Sequence, residues 1–176
     1  MSFDIGPQLV ETEVNLVINY LKANIANALT LQNNLHGTTL PVVSTEAPRD
    51  YFIYPKAQGY RTPAVFVIPE RMDFKKKERG ANHVNAETRL NITVLIEDKD
   101  AERLYYKSYR YQAAMFGLLD QAILTSGDSK VKIVVVVESA QFSPLYSNTG
   151  THGTSNSVFR KEVWLECAVQ HYESLK

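Results

Sequence analysis

The run Val131-Lys132-Ile133-Val134-Val135-Val136-Val137 restricts what this chain can fold into more than any other stretch. β-Branched side chains are stiff at χ1 and pack well on a pleated surface, so a run broken only by Lys132 predicts a strand near the middle of a sheet, with nearly every position buried. Upstream, Thr88 to Glu97 alternates: Leu90, Ile92, Val94 and Ile96 fall on one face, and Arg89, Asn91, Thr93 and Glu97 largely on the other. That period of two predicts a strand with one wet face. Between them, Ala101 to Leu124 carries apolar residues at helical spacing and must lie across the sheet. Asp100 is placed to cap this helix, Glu102 to favour the positive end of its dipole, and Gly127 to supply a left-handed residue at its end. No catalytic or cofactor motif sits in this strand, helix, strand core, so function has to be sought in surfaces, loops and assembly.

The flanking segments follow the same logic. Val10, Val14, Val17, Leu21, Ile25 and Ala28 recur at three- and four-residue steps after Pro7, which predicts a helix from about Gln8 to Leu29. Thr30 to Thr62 carries Pro41, Pro48 and Pro55 and allows only short extended pieces, with Leu40 to Val43 and Tyr51 to Tyr54 as edge strands or ordered loop. Ala64 to Ile68 is a short buried strand bounded by Pro63 and Pro69, and its alternation resumes through Met72 and Phe74, which predicts a bend or bulge. Lys75 to His83 then reads as the charged tip of a hairpin leading into the Thr88 strand. Ser143 to Ser157 is polar and predicts a long mobile loop. In the last strand, Val158 to Tyr172, Phe159, Val163, Leu165, Cys167 and Val169 alternate against Arg160, Glu162, Trp164, Glu166 and Gln170. The sum is an α+β fold, a mainly antiparallel sheet of about four to six strands packed against two main helices. It is read as one domain over 1–176, with 30–62 and 143–157 as insertions.

Bulk properties set bounds. The chain is 44% hydrophobic and 22% charged, as in an ordinary folded protein, and no apolar stretch is long enough to span a bilayer. Met1-Ser2-Phe3-Asp4 lacks the basic start and apolar run of a secretory signal, so synthesis in a cytoplasm is expected. A single cysteine, Cys167, excludes an intramolecular disulfide framework and a cysteine zinc site. Nineteen basic residues balance nineteen acidic ones, so bulk attraction to nucleic acid is absent and any DNA contact has to be local.

The chemistry-bearing residues read as structural. His36, His83, His152 and His171 are scattered singly and suit surface or loop positions better than a metal site. Cys167 lies on the core side of the last strand and reads as a small buried hydrophobe. Gly150-Thr151-His152-Gly153-Thr154 lacks the Gly-Lys-Ser/Thr of a phosphate loop and precedes a strand. Glu97, Asp98 and Asp100 fit capping and a solvated turn as well as a cation site. No cofactor and no catalytic residue is expected, and a hydrolase using the Ser143 to Ser157 loop has no support. Two features rise above this background. Lys75, Lys76, Lys77 and Arg79 surround only Glu78 and make a local basic patch that is either a solvated turn or a surface facing DNA or an acidic partner. Tyr105, Tyr106, Tyr109 and Tyr111 are too close on one helix for all to point at one sheet, so some face elsewhere; tyrosine suits a protein interface, and core packing alone is the competing reading.

The order and length of these elements, from the Gln8 to Leu29 helix through the Ala64 to Phe74 and Thr88 to Glu97 strands, the Ala101 to Leu124 helix and the two later strands, resemble the tail-terminator (tail-completion) proteins of tailed bacteriophages. That resemblance implies a non-enzymatic virion protein, assembled in the host cytoplasm. It would form a ring, a hexamer, on the head-proximal end of the tail tube, ending tube growth and offering a docking surface to the head connector. Its partners would be other copies of itself, the tail tube protein, the head connector or adaptor and, in weak contact only, the DNA passing through the lumen. Lys75, Lys76, Lys77 and Arg79 would then face lumen or partner, and Tyr105, Tyr106 and Tyr109 would form the subunit interface. The competing readings are a head-tail adaptor or neck subunit and, from a different class, a soluble ligand-binding or regulatory domain with one apolar pocket.

Overall fold

The computed structural model describes residues 9–36, 41, 43–56, 58–75, 83–148 and 158–174. Helix α1 (Leu9–His36) buries Val14, Val17, Ile18, Leu21, Ile25 and Leu29 on one stripe. It runs two turns past the expected end at Leu29, because no proline intervenes and Asn33 ties the last turns down by donating to the Val43 carbonyl and the Thr45 hydroxyl, both at 2.9 Å. The strands are β1 (Asp50–Phe52), β2 (Ala64–Phe74), β3 (His83–Asp98), β4 (Ile123–Thr125), β5 (Val131–Phe142), β6 (Tyr146–Asn148) and β7 (Val158–Ser174), with helix α2 (Ala101–Leu119) between β3 and β4. They form a seven-stranded sheet in the order β1-β2-β3-β7-β5-β4, with β6 also paired to β7. Every pairing is antiparallel except β1 with β2. The expected α+β class holds; the additional strands are three-residue pieces at the margins.

The register explains the alternation. Leu90, Ile92, Val94 and Ile96 of β3 and Val163, Leu165, Cys167 and Val169 of β7 are 0 or 1% exposed and meet Leu104, Tyr111, Met115 and Leu119 of α2 and the stripe of α1. Each such side chain is worth about 1.5–3 kcal/mol against leaving it in water. The opposite face is only partly wet, because Ala64, Phe66 and Leu95 form a second buried cluster with Phe52, Tyr60 and Ile68. The β2 register shifts between Pro69 and Arg71, the bulge expected there, since proline has no N–H for the ladder.

Three expectations are corrected. The valine strand is not central: β3 and β7 occupy the middle, while β5 has β7 on one side and only short β4 on the other. Val131, Ile133 and Val135 are buried, and Val134 and Val136 sit half-exposed on the face away from the helices. The second helix stops at Leu119 rather than Leu124: the Asp120 N–H closes on the Phe116 carbonyl, Gln121 takes a φ of 61°, and Ile123–Thr125 leaves as a strand that satisfies its backbone on β5. Gly127 therefore lies in the β4–β5 turn and not at a helix end. Finally, the polar segment from Ser143 starts ordered: Ser143 is buried, its hydroxyl accepts from the Glu162 N–H at 2.8 Å, and β6 pairs with Arg160 to Val158. Residues 149–157, with the Gly150 to Thr154 motif and His152, lie outside the described residues, as do Lys76, Lys77 and Arg79.

Candidate functional site

Helix α2 divides its aromatics between two faces. Tyr111 points inward and is fully buried, its hydroxyl donating to the Glu46 carbonyl, and burial raises its pKa. Tyr105 and Tyr109, four residues apart, point outward on one flank with their ring centroids 6.5 Å apart. Phe142, at the end of β5, meets Tyr109 edge-on at 5.7 Å. These three rings are 38, 48 and 38% exposed, yet Tyr109 touches both others, tilted by 50° to Tyr105 and edge-to-face with Phe142, the latter a geometry worth about 0.5–1.5 kcal/mol beyond burial. Phe116, at 43%, continues the same flank of the helix. Tyr106 sits about 100° around the helix from Tyr105; it is half-buried and makes no ring contact with another described residue. Of the three tyrosines expected at an interface, the structure joins two.

Beneath this cluster lies a cation. Lys161 of β7 is 4% exposed; its ammonium donates to the Ser143 carbonyl at 2.5 Å and sits 4.6 Å from the Tyr105 ring and 5.8 Å from that of Phe142. Burial lowers its pKa, and no described carboxylate lies within ion-pair distance. Sequence reasoning missed both Phe142 and Lys161. The signal was there for Phe142: after the β5 bulge between Val137 and Ser139, Ala140 and Phe142 resume the helix-side alternation.

The other candidates resolve as follows. Lys75 donates its N–H to the Asn85 carbonyl at 3.2 Å, and its ammonium is 3.8 Å from Glu87, both groups partly exposed. Glu97, Asp98 and Asp100 are structural: Glu97 accepts from Arg160 and from Thr62, and Asp100 caps α2 through the Arg103 N–H at 3.0 Å. Burial pushes the Asp98 carboxyl up, but hydrogen bonds from Arg103, Lys107 and the Asp100 N–H outweigh it and hold the group well below the usual carboxylate range. Cys167 is buried, and burial, aided by the charges of Glu138 and Asp120, raises its thiol to about 12, the inert hydrophobe expected. His171 corrects the surface reading: it is fully buried between Glu13, 2.8 Å from Nδ1, and Glu173, 3.1 Å from Nε2. Among the described residues no group of three or more His, Cys, Asp or Glu side chains is arranged to hold a metal ion, and no helix is long and apolar enough to cross a membrane.

Among the recesses lined by described residues, two are the larger. One, of about 290 Å³ on the sheet face away from the helices, is lined by Lys56, Tyr60, Phe66, Leu95, Arg160 and Trp164 among others. The other, of about 440 Å³, lies at the β2 edge between α1 and the end of β1, lined by Val10, Glu11, Val14, Asn15, Ile53 and Pro69.

No family model and no curated protein matches the chain. Among solved structures, a chain of the virion of a native gene transfer agent (GTA) particle is similar at a TM-score of 0.37 and 14% identity, over 89% of this chain and 93% of that one. A likeness of that degree carries no argument about role, and function is read from the surface itself.

Proposed function

We propose that this chain is a structural protein of a phage-like virion, and within that class a tail terminator: a ring-forming subunit that caps the head-proximal end of the tail tube, stops its growth and receives the head connector. The observation that carries the reading is the Tyr105, Tyr109, Phe142 cluster, three rings ordered against one another while over a third of each stays in water. Rings fixed in this way lose little entropy on association, which is what a repeated subunit contact needs. The order of elements supports the same reading, with the basic residues Lys75, Lys76, Lys77 and Arg79 falling in sequence between the paired strands β2 and β3. The ring is a hexamer, the tube protein and connector are its neighbours, and DNA passes with weak contact.

Antibody labelling of particles tests the assignment. The terminator reading expects label at the head-proximal end of headless tails; label on tailless, filled heads instead identifies a neck or adaptor subunit, and absence from purified particles overturns the virion assignment. One observation favours a second reading, a ligand-binding domain: the recess beside Trp164 brings Tyr60, Phe66 and Leu95 together with the cations of Lys56 and Arg160.

A further inference from the structure

One buried polar cluster joins the start of α1 to the last strand. His171 lies within the β7 ladder, opposite Ala86 of β3 and Ile133 of β5, so its backbone is fixed from both sides. Its ring meets Glu13 of α1 at 2.8 Å through Nδ1 and Glu173 of β7 at 3.1 Å through Nε2. Glu173 also accepts from the N–H of Leu9, the first residue of α1, and Thr88 of β3 donates its hydroxyl to Glu13. Around them β3 presents Ala86, β5 Val131 and Ile133, and β4 Leu124, none of them titratable. Glu11 and Lys130, the nearest charges along the chain, are exposed.

An imidazolium has two N–H groups and a neutral imidazole one. Only the charged ring donates to both carboxylates; the neutral ring turns a lone pair on one of them. Glu13 Oε2 already lacks a hydrogen-bond partner among the described residues, so Glu13 has no reserve when that donor is lost. Relief requires either β7 or α1 to move. β7 is laddered to β3 from Phe159 to Ser174, whereas the first turns of α1 are held here by Val14, Val17 and the cluster itself. Downstream, Ile18, Leu21, Ile25, Leu29 and the Asn33 bonds hold the rest of the helix independently.

We infer that Glu13, His171 and Glu173 form a proton-operated latch: with the imidazolium in place the turns from Leu9 to Val17 lie on the sheet, and with the neutral ring they detach while the sheet and α2 stay folded. Val10, Glu11, Val14 and Asn15 belong to these turns and line the 440 Å³ recess together with Ile53 and Pro69, so detachment removes that recess. The latch gives this surface a proton-dependent shape, whatever docks there. Burial lowers the His171 pKa, but the contacts with Glu13 and Glu173 outweigh it, so the closed form keeps its proton above 6.5. Between 6.5 and the closed-form value, closing binds a proton, and the opening equilibrium rises by up to about tenfold per pH unit before it levels off.

Hydrogen exchange of the full chain from about pH 5.5 to 9, corrected for the base-catalysed intrinsic rate, tests the latch. Protection of Leu9 to Val17 falls by about tenfold or more across the range, while that of Ile18 to Leu29, β3 and β7 is kept. His171→Gln retains a donor but has no proton to lose, and its profile is flat. Glu13→Gln removes one carboxylate, and its profile levels off closer to pH 6.5; it carries the test alone if His171→Gln fails to fold. Protection of Leu9 to Val17 that is constant with pH in wild type overturns the latch. So does a loss shared equally by β3 and β7, which is global unfolding, or a wild-type pH dependence that survives in either variant.

Discussion

His171 Nδ1 lies 2.8 Å from Glu13 Oε1, and neither side chain is reached by solvent. The strand residue thus meets the first turns of α1, and Glu173, on the other side of the imidazole, also accepts from the Leu9 N–H at 3.3 Å. Thr88 donates its hydroxyl to Glu13 at 3.1 Å. Two carboxylates around one ring favour the imidazolium.

Burial alone lowers the His171 pKa, but the Glu13 and Glu173 contacts outweigh it and hold the value above 6.5. A folded pKa raised above the unfolded one means that the stabilisation is complete below about 6.5 and is lost as pH rises through the folded value. Tm of the wild type is therefore expected to fall on the alkaline side of 6.5, and His171→Ala to remove that slope. At pH 6 the variant should cost about 3–5 kcal/mol, because it leaves buried carboxylates without their cation. A Tm–pH curve shared by wild type and variant would contradict this account of the triad.

Asp98 behaves in the opposite sense. Its side chain is 3% exposed and takes Arg103 and, at 2.6 Å, Lys107, which holds its pKa below the ordinary 3.8. Stability from this group is present above 3.8 and is lost as pH falls through the lowered folded value. Asp98→Asn should destabilise at pH 7 by about 1–3 kcal/mol, with the gap from wild type closing in strong acid. Arg103 is half-exposed and solvent-screened, so Lys107 carries more of the effect. Urea melts at pH 7 and pH 2.5 check the pair of values; a gap that stays constant argues against it.

Val135 and Val134 separate the two faces of β5. Val135 is fully buried beside Val169, and Val135→Asp should cost several kcal/mol, more than about 4, and abolish soluble expression. Val134 pairs with Gln170 and Ile123 on the half-exposed face, and Val134→Asp should remain soluble. Equal behaviour of the two variants would mean that the register is misassigned.

The basic residues between β2 and β3 should matter to function and not to folding. Replacing Lys75, Lys76, Lys77 and Arg79 with serine should move stability by about 0.5 kcal/mol or less, since the Lys75–Glu87 pair is exposed at 3.8 Å. Joining of separated heads and tails in a complementation assay should fall. Normal yield of infectious particles from the quadruple variant would overturn a partner-facing role for these four residues.

Residues in regular strands were legible because the pleat makes burial alternate: Leu90 to Ile96 and Val163 to Val169 could be assigned to the core from period two alone. The valine run misled for a related reason. β-Branching suits any pleated surface, so Val134 and Val136 could not be told from fully buried positions without the strand order. α2 was read too long because Ala122 and Ile123 continue the helical period, whereas the backbone turns at Gln121 and pairs Ile123 with Val134. At the candidate site, Tyr105 and Tyr109 were found by crowding on one helix. Lys161, Phe142 and the Ile53 recess depend on contacts between distant segments, as does the Glu13–His171 pair, which spans α1 and the last strand.

Negative-stain electron microscopy of tail tubes polymerised with and without the purified protein addresses the central claim most directly. A terminator should leave tubes of bounded length with a ring of six subunits at one end, and excess protein should shorten them. Tubes of the same length distribution, with bare ends and the protein free in the background, would contradict it.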